Sequence, residues 1–271
     1  MNEYGLVGAG LAVLGSKDIL LKLLGPTAEY IGDEAKGLVQ KCNINLDNIF
    51  RKAINKLGSK IEKPGQVNSR VLKHVIDEGR FCEDELSAEY FGGMLAASRS
   101  KNGNDDRALP LLAVVKRMSS YQLKTHYLIY KTINKFFEGT KLNPLIDTEA
   151  KQMEIYISYH TLHHFMSFNI DELAGFAPIS THIINGLTKE GLIRNQCYYG
   201  DPEHLKNYLP KSPKYSWGFT CRPSGFGIEL FNYAYGMKDE NISKFTEKKY
   251  PDIEFDKSAP IRNVHKTTDL K

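Results

Sequence analysis

Residues 66–139 show the clearest helical periodicity in the chain, and this pattern restricts the fold more than any other feature of the sequence. Four apolar side chains recur at the spacing of one helical face: Leu86, Tyr90, Met94 and Ala97. The acidic residues Glu83, Asp84 and Glu85 precede this face, where negative charge complements the dipole of a helix. The pattern therefore predicts a helix directly behind the acidic group.

Two more helices are predicted after a polar loop over residues 100–106. The apolar stripe of the first consists of Leu111, Val115 and Met118. Ser119 and Ser120 can cap the second, because a serine hydroxyl accepts hydrogen bonds from free backbone amides. The apolar residues of that helix are Leu123, Tyr127, Tyr130, Ile133 and Phe137. We therefore predict that residues 66–145 form an antiparallel helical core joined by short loops.

Residues 1–65 are predicted to form helices behind a glycine-rich start. A short helix is expected over residues 16–24 and a longer helical pattern over residues 27–56, with interruptions near Asn43 and Asn45. A Pro-Gly pair then marks a turn.

Residues 150–236 change to a mixed pattern of helices and short strands. Strands are predicted over residues 153–158, 192–194 and 215–222, and helices over residues 159–168, 170–176, 179–190 and from 225 onward. Helix, turn, helix, Gly-Leu-Ile, strand, long hairpin loop, strand and helix is the order of a winged helix. The predicted fold is therefore mainly α, with an antiparallel helical core followed by a winged-helix-like α/β module.

Residues 237–271 are polar, and their charges alternate in sign. Segments that can bury little apolar surface do not recover the entropy lost on ordering. We therefore expect a loosely held or disordered tail here.

The composition favours a cytoplasmic globular protein. The net charge of +4, from 36 basic and 32 acidic side chains, produces no strong field that would attract nucleic acid or anionic lipid. The four cysteines lack C-x-x-C spacing, which argues against a zinc site and against a disulfide framework. No apolar run approaches the length of a membrane span, and no basic segment of a signal peptide is found.

The N-terminal glycines Gly8 and Gly10 resemble part of a dinucleotide-binding fingerprint. That fingerprint needs a third glycine, whose place Val13 occupies, and a strand before the motif. We therefore expect no cofactor, and interpret residues 1–24 as a flexible or interface-forming segment. A membrane contact through these residues is not favoured, and lipid flotation would test it.

Two polar clusters are candidates for chemistry. His160, His163 and His164 would share one helical face, but no nearby aspartate or cysteine completes a metal site. Asp105 and Asp106 lie in a loop without the further carboxylates or phosphate cradle of a magnesium site. We therefore predict no metal site, no catalytic residue and no enzymatic activity.

The second helix of the winged-helix-like module and its wing form the candidate binding surface. The polar residues of this surface are Ser180, Thr181, His182, Asn185, Lys189, Arg194, Lys206, Lys211 and Lys214. The helix itself carries one lysine, which Glu190 offsets, whereas affinity for DNA rests mainly on neutralised phosphates. We therefore favour a protein partner or self-association, with DNA as the alternative.

The sequence resembles the Abi-alpha family, a bacterial group associated with abortive infection against phage. The resemblance rests on residues 83–98, an acidic lead into a helix that ends in Leu-Ala-Ala-Ser. It continues through residues 118–123 and the segments 191–193 and 227–231. It covers the chain from about residue 24 to about residue 236.

The resemblance implies a role in phage defence, and it carries no agreed catalytic set to this chain. Related wings often read Leu-Thr-Pro-x-Gly, where this chain has Cys221-Arg-Pro-Ser-Gly225. We therefore expect a non-enzymatic antiviral protein that acts through protein-protein recognition or assembly. A winged-helix DNA-binding transcriptional regulator is the alternative.

Overall fold

The computed structural model describes residues 43–82, 84–169, 171–172, 176–195, 197–211, 217–258 and 264–270. The chain divides into two compact units: Met1–Arg117 with Asn232–Asp239, and Met118–Phe231 with Glu240–Lys271. The described residues are mainly helical, and four short strands form one antiparallel sheet. None of the helices in these ranges is long and apolar enough to cross a membrane. The predictions for residues 1–42 lie outside the described residues.

The first unit consists of helices. Its elements are α1 (Asn43–Leu57), a 3-10 helix (Gly58–Glu62), α2 (Ser69–Gly79), α3 (Glu85–Ser98) and α4 (Ala108–Arg117). Asp84 precedes helix α3 as its N-cap, and its carboxylate accepts the backbone N–H of Ser87 at 2.9 Å. The acidic lead therefore acts as a helix cap as well as a complement to the dipole.

Helix α3 is buried on nearly all sides. The four predicted face residues are buried, which confirms the helix, but their neighbours on the other faces are buried as well. Gly92 lies against α1, where an added Cβ would be 2.6 Å from the Cβ of Lys52 and 2.8 Å from the backbone oxygen of Ile49. Because no real Cβ fits at such distances, the close approach of α1 and α3 requires glycine at this position.

Buried charges of opposite sign connect α1 to α3. Lys52 Nζ lies 2.9 Å from Glu89 Oε1 and also pairs with Glu85, while Lys56 pairs with Glu89. Burial opposes the charge of Lys52, but its hydrogen bonds to Glu85 and Glu89 outweigh this effect and raise its pKa. Burial lowers the pKa of Lys56. The cluster therefore fills the polar side of an otherwise apolar helix contact.

The second unit combines helices with the sheet. Its helices are α5 (Ser120–Phe137), α6 (Asp147–Gln152), α7 (Tyr159–Met166), α8 (Phe176–Lys189), α9 (Pro202–Lys206), α10 (Gly225–Ala234, whose last residues are grouped with the first unit), a 3-10 helix (Ile242–Glu247), α11 (Glu254–Ser258) and α12 (Thr267–Leu270). Its strands are β1 (Ile155–Ser158), β2 (Tyr199–Gly200), β3 (Gly218–Cys221) and β4 (Val264–Lys266).

Helix α5 begins at a capping box. The Ser119 hydroxyl accepts the backbone N–H of Gln122 at 3.3 Å, and the Gln122 side chain accepts the N–H of Ser119 at 3.0 Å. The predicted cap is therefore confirmed. Although the predicted helical core included this helix, the structure groups it with the second unit. Periodicity identifies an apolar face but not the element that covers it.

The sheet has the order β2-β3-β1-β4, and every neighbouring pair is antiparallel. Beside it, Arg222 Nε donates to Glu154 Oε1 at 2.8 Å, and both side chains are almost fully buried. The hydroxyl of Thr267 donates to the second carboxylate oxygen of Glu154 at 3.0 Å. Glu154 thus ties the residues that flank β1, β3 and β4 into one hydrogen-bonded group.

The structure differs from the prediction for the tail, residues 237–271. Phe245 and Thr246 are buried, and Asn134 of α5 donates to the backbone oxygens of Phe245 and Lys248 at 2.9 Å each. Farther along, β4 pairs with β1. The polar composition of this segment concealed a few well-spaced apolar residues that pack: Phe245, Tyr250, Phe255, Val264 and Leu270.

Several predicted boundaries in the second unit also move. Helix α8 starts before residue 179 and includes the predicted turn residues Ala177 and Pro178, because proline is tolerated in the first helical turn. The strand predicted over residues 192–194 is a single bridge between Ile193 and Pro223. The strand predicted over residues 215–222 corresponds to β3, and residues 215 and 216 lie outside the described residues. The helix predicted over residues 170–176 falls largely outside the described residues.

Candidate binding site

A cavity of about 470 Å³ lies at the connection between β2 and β3. Its lining residues are Cys197, Tyr198, Tyr199, Gly200, Asp201, His204 and Trp217. We call the cavity lined by these seven residues the wing cavity, after the wing that the sequence predicts for this segment. All of them belong to the second unit. They come from the two residues before β2, from β2 itself, from Asp201 and α9, and from the residue before β3.

Local sequence explains how the chain forms one side of the wing cavity. Gly200 has φ +140°, a backbone conformation that side chains rarely allow, and this lets the chain leave β2 sharply. Asp201 then caps α9 by accepting the backbone N–H of His204 at 2.8 Å, and Pro202 occupies the first helical position. Within these three consecutive residues the chain passes from the edge strand β2 into the short helix α9.

A small hydrophobic cluster holds this helix against the sheet. Leu205 of α9 and Leu209 just beyond it are buried with Tyr156 of β1 and Leu270 of α12, and Tyr198 packs against the group. The backbone N–H of Lys211 also donates to the oxygen of Leu270 at 2.9 Å. The helix-bearing side of the cavity is therefore anchored to the rest of the unit.

Aromatic side chains dominate the cavity and its surroundings. Trp217 is 52% exposed, Tyr199 40% and Tyr208 38%, so three large side chains contact solvent on one part of the unit. Trp217 is stacked on Tyr159 with 6.4 Å between ring centroids, and Tyr198 is stacked on Tyr208 with 3.8 Å. Exposed aromatic residues held in place by neighbouring rings are typical of binding surfaces.

The wing cavity has an acidic rather than a basic lining. Among the seven lining residues, Asp201 is the only acidic residue, and none is a lysine or arginine. Burial raises the pKa of Cys197 to about 12, so this thiol stays uncharged at neutral pH. A group that enters this cavity meets aromatic rings and a carboxylate.

The predicted binding residues on α8 are placed unequally. Thr181, His182, Asn185 and Lys189 are exposed. His182 Nε2 also lies 3.0 Å from the hydroxyl oxygen of Ser119. Ser180 is only 3% exposed, and its hydroxyl donates to the oxygen of Ala177 at 2.9 Å. Unlike the other four residues, Ser180 is therefore not accessible at the surface of α8.

The remaining predicted residues lie beyond α8, in the segments that the sequence predicted as a strand and a wing. Arg194 is engaged in the fold, since its guanidinium donates to Asp147 Oδ1 and to the backbone oxygens of Pro144 and Pro223 at 2.9 to 3.0 Å. Its side chain is still 28% exposed. Lys206 and Lys211 are exposed but do not line the wing cavity. Lys214 lies outside the described residues.

The two candidate carboxylates, Asp105 and Asp106, form ion pairs within the first unit. Both oxygens of Asp105 accept from Arg107, at 3.0 and 2.8 Å, and one also pairs with Lys238 at 2.8 Å. The hydrogen bonds from Arg107 hold the pKa of Asp105 well below its usual range. Asp106 pairs with Arg70 at the surface.

The three histidines of α7 also have local contacts. The rings of His160 and His164 lie 6.2 Å apart, and the ring of His163 lies 6.0 Å from that of Phe168. Within the described ranges, no group of three histidine, cysteine or acidic residues could hold a metal ion.

The sequence does not predict the wing cavity, because the residues between the strands predicted over 192–194 and 215–222 have the polar composition of a hairpin loop. Two signals could have indicated it. Asp201-Pro202 is a helix start, and Leu205 and Leu209 have helical spacing. Tyrosines and the tryptophan also concentrate between residues 198 and 217, which is unusual for a solvated loop.

Comparisons with known proteins do not assign the chain to a family. No protein-family model, no curated protein and no solved structure matches it significantly.

Proposed function

We propose that this chain is a non-enzymatic antiviral protein of the abortive-infection type, which acts by binding a protein partner through a winged-helix-like module. The observation that carries the proposal is the wing cavity, with Trp217, Tyr199 and Tyr208 exposed at or beside it. Tryptophan and tyrosine are enriched among residues that dominate protein interfaces. The antiviral role comes from the resemblance to the Abi-alpha family.

The order of elements supports a winged-helix-like arrangement. The chain order is helix α5, strand β1, helices α7 and α8, and then strands β2 and β3, with the short helix α6 between α5 and β1. In the sheet, β3 lies between β1 and β2, so the first strand pairs with the third and the third with the second, as in winged helices. Helix α9 between β2 and β3 and the additional strand β4 are departures from the simple form.

Charge favours a protein partner over DNA. Among the exposed residues of α8 that were predicted to bind, only Lys189 is a lysine or arginine, and Arg194 is held by Asp147 and two backbone oxygens. Specific DNA binding by a helix of this kind needs several phosphate contacts. The aromatic and acidic lining of the wing cavity does not offer them.

Phage challenge of bacteria that express the chain tests the proposal. Wild-type protein is expected to reduce plaque number or to collapse infected cultures early against at least one phage of a diverse panel. The double variant Tyr199→Ala/Trp217→Ala is expected to lose this effect while keeping its circular dichroism spectrum and thermal midpoint. Equal plaque counts for wild-type and empty cells on the whole panel would contradict the antiviral role.

A matched variant on α8 separates the protein-binding function from its alternative. Thr181→Ala/Lys189→Ala alters exposed side chains of α8 and leaves the wing cavity unchanged, so we expect it to keep protection. Loss of protection with this pair, but not with the cavity variant, would contradict recognition through the cavity.

DNA-binding regulation is the second candidate, favoured by the sheet order and by exposed polar residues on α8. It predicts that duplex DNA binds at low salt, that affinity falls steeply as salt rises, and that changing Lys189, Lys206 and Lys211 to alanine weakens it. Absence of duplex binding at low ionic strength would remove this candidate.

A further inference from the structure

The wing cavity combines two features that together select the charge of a ligand. Its lining residues include the aromatic residues Tyr198, Tyr199 and Trp217 and the acidic residue Asp201. Aromatic faces carry negative electrostatic potential and attract cations, and a carboxylate does the same more strongly. Among the lining residues that the structure describes, none is a lysine or arginine.

Two of the aromatic lining residues are stacked on neighbouring rings before any ligand binds. Trp217 is stacked on Tyr159, and Tyr198 on Tyr208 at 3.8 Å between centroids. Asp201 is fixed as the cap of α9 through its bond to the N–H of His204. A preorganised site loses little conformational entropy when it binds, which favours even a small ligand group.

On the basis of the proposed function, we propose that the wing cavity binds an arginine side chain of a protein partner. The flat guanidinium stacks on an aromatic ring while its N–H groups donate to a carboxylate, and Asp201 and the rings of Tyr199 and Trp217 provide both partners in one cavity. The volume of about 470 Å³ is ample for a guanidinium with part of its stem. The base of a nucleotide could also stack on the aromatic rings, but the phosphate of the nucleotide would be repelled by the Asp201 carboxylate, since no cation of the described lining offsets it.

The single tryptophan of the chain makes this inference directly measurable. Trp217 is the only tryptophan, so its fluorescence reports on the wing cavity alone. The full chain is titrated with acetyl-arginine-methylamide, with its uncharged isostere acetyl-citrulline-methylamide, and with a thymidine oligonucleotide. Free N-acetyltryptophanamide corrects for collisional quenching.

We expect saturable binding of the arginine compound in the millimolar range and none of the citrulline compound over the same range, because one side chain brings few contacts. Raised salt should weaken the binding of arginine. Equal binding of citrulline and arginine would overturn the proposal, since charge would then play no part. Binding of the oligonucleotide without binding of arginine would overturn it as well.

A pair of matched variants tests the carboxylate. Asp201→Asn removes the charge but keeps a good helix cap, so α9 should remain folded, and arginine affinity should fall by about fivefold or more. Glu203→Gln removes an exposed charge from the same helix outside the cavity lining, and should change the affinity by less than about twofold. Equal effects of the two variants would contradict a role for Asp201.

The titration and the phage experiment fail separately. If Tyr199→Ala/Trp217→Ala abolishes protection but arginine does not bind the wild-type chain, the cavity recognises a partner of other chemistry and only this inference is overturned. If arginine binds but no phage is affected, the ligand assignment stands and the antiviral role fails.

Discussion

His126 lies in the middle of α5 and is fully buried. One ring nitrogen lies 3.0 Å from the backbone oxygen of Gly227, and its ring centroid is 4.7 Å from that of Tyr130. Burial lowers the pKa of His126 to about 3, although the bond to Gly227 acts in the opposite direction. The neutral ring donates one N–H to this carbonyl, whereas a charged ring would have to be desolvated.

The pKa of His126 predicts a loss of stability in mild acid. In the unfolded chain a histidine titrates near pH 6.5. Because the folded pKa is lower, the unfolded state binds the extra proton first, and the free energy of unfolding decreases as pH falls from about 6.5 towards 3. This residue changes the free energy of unfolding by at most about 1.4 kcal/mol per pH unit. Urea unfolding at pH 7, 6 and 5, followed through Trp217 of the same unit, measures it.

A glutamine at this position provides the comparison. The amide of His126→Gln can still donate to Gly227 but does not titrate. We expect the variant to be less stable than wild type at pH 7 and the difference to narrow towards pH 5, a range above the titration of most carboxylates. Parallel stability curves for the two proteins would contradict a buried neutral histidine.

At the scale of single elements, Gly92 determines how closely α1 and α3 can pack. Glycine inside a helix normally lowers stability, so replacing it with alanine should help wherever space allows. At Gly92 the space is occupied by Lys52 and by the backbone of Ile49. Steric overlap and helix propensity therefore act in opposite directions at this residue.

We predict that Gly92→Ala lowers the free energy of unfolding by about 1–3 kcal/mol, the usual cost of an overpacked contact. The measurement is chemical unfolding followed by circular dichroism, since the first unit is helical. Helix propensity alone would give a gain of up to about 1 kcal/mol. A stabilised variant would thus show that α1 can move away without cost.

Sequence patterns identified the long helices but missed the short helix α9. Helices α3 and α5 were predicted because many apolar positions repeat at helical spacing, and the Ser119 cap because serine chemistry is local. Helix α9 has only five residues, too few for periodicity, and depends on Leu205 and Leu209 packing against distant residues. The wing cavity was missed for the same reason, because its lining forms only once α9 is anchored.

At the scale of the whole molecule, the chain does not divide where its composition changes. The second unit begins with α5 and includes residues 240–271 at the end of the sequence. Residues 232–239, which lie between its two segments, are grouped with the first unit. Composition could not reveal this arrangement, because the connections depend on a few spaced apolar residues and on single polar atoms. The amide of Asn134 and the ammonium of Lys131 each donate to backbone oxygens of the predicted tail.

We predict that deleting residues 264–271 destabilises the second unit. The deletion removes β4 from the edge of β1 and takes from Glu154 the hydroxyl of Thr267, which leaves a buried polar group less satisfied. Hydrogen exchange followed by mass spectrometry should show lost protection in β1 and β3. As a control, Asp269→Asn changes an exposed side chain of α12 and should leave protection unaltered. Unchanged exchange in the deletion variant would support the disordered tail predicted from composition.

The pairing of β4 with β1 also has a consequence for biosynthesis. Strand β1 emerges from the ribosome well before β4, which follows every other strand of the sheet in chain order. Domains usually fold as units once enough of their chain has been translated. During elongation one edge of β1 therefore stays open, and the nascent chain exposes a strand edge that a second nascent chain or a chaperone can contact until β4 is made.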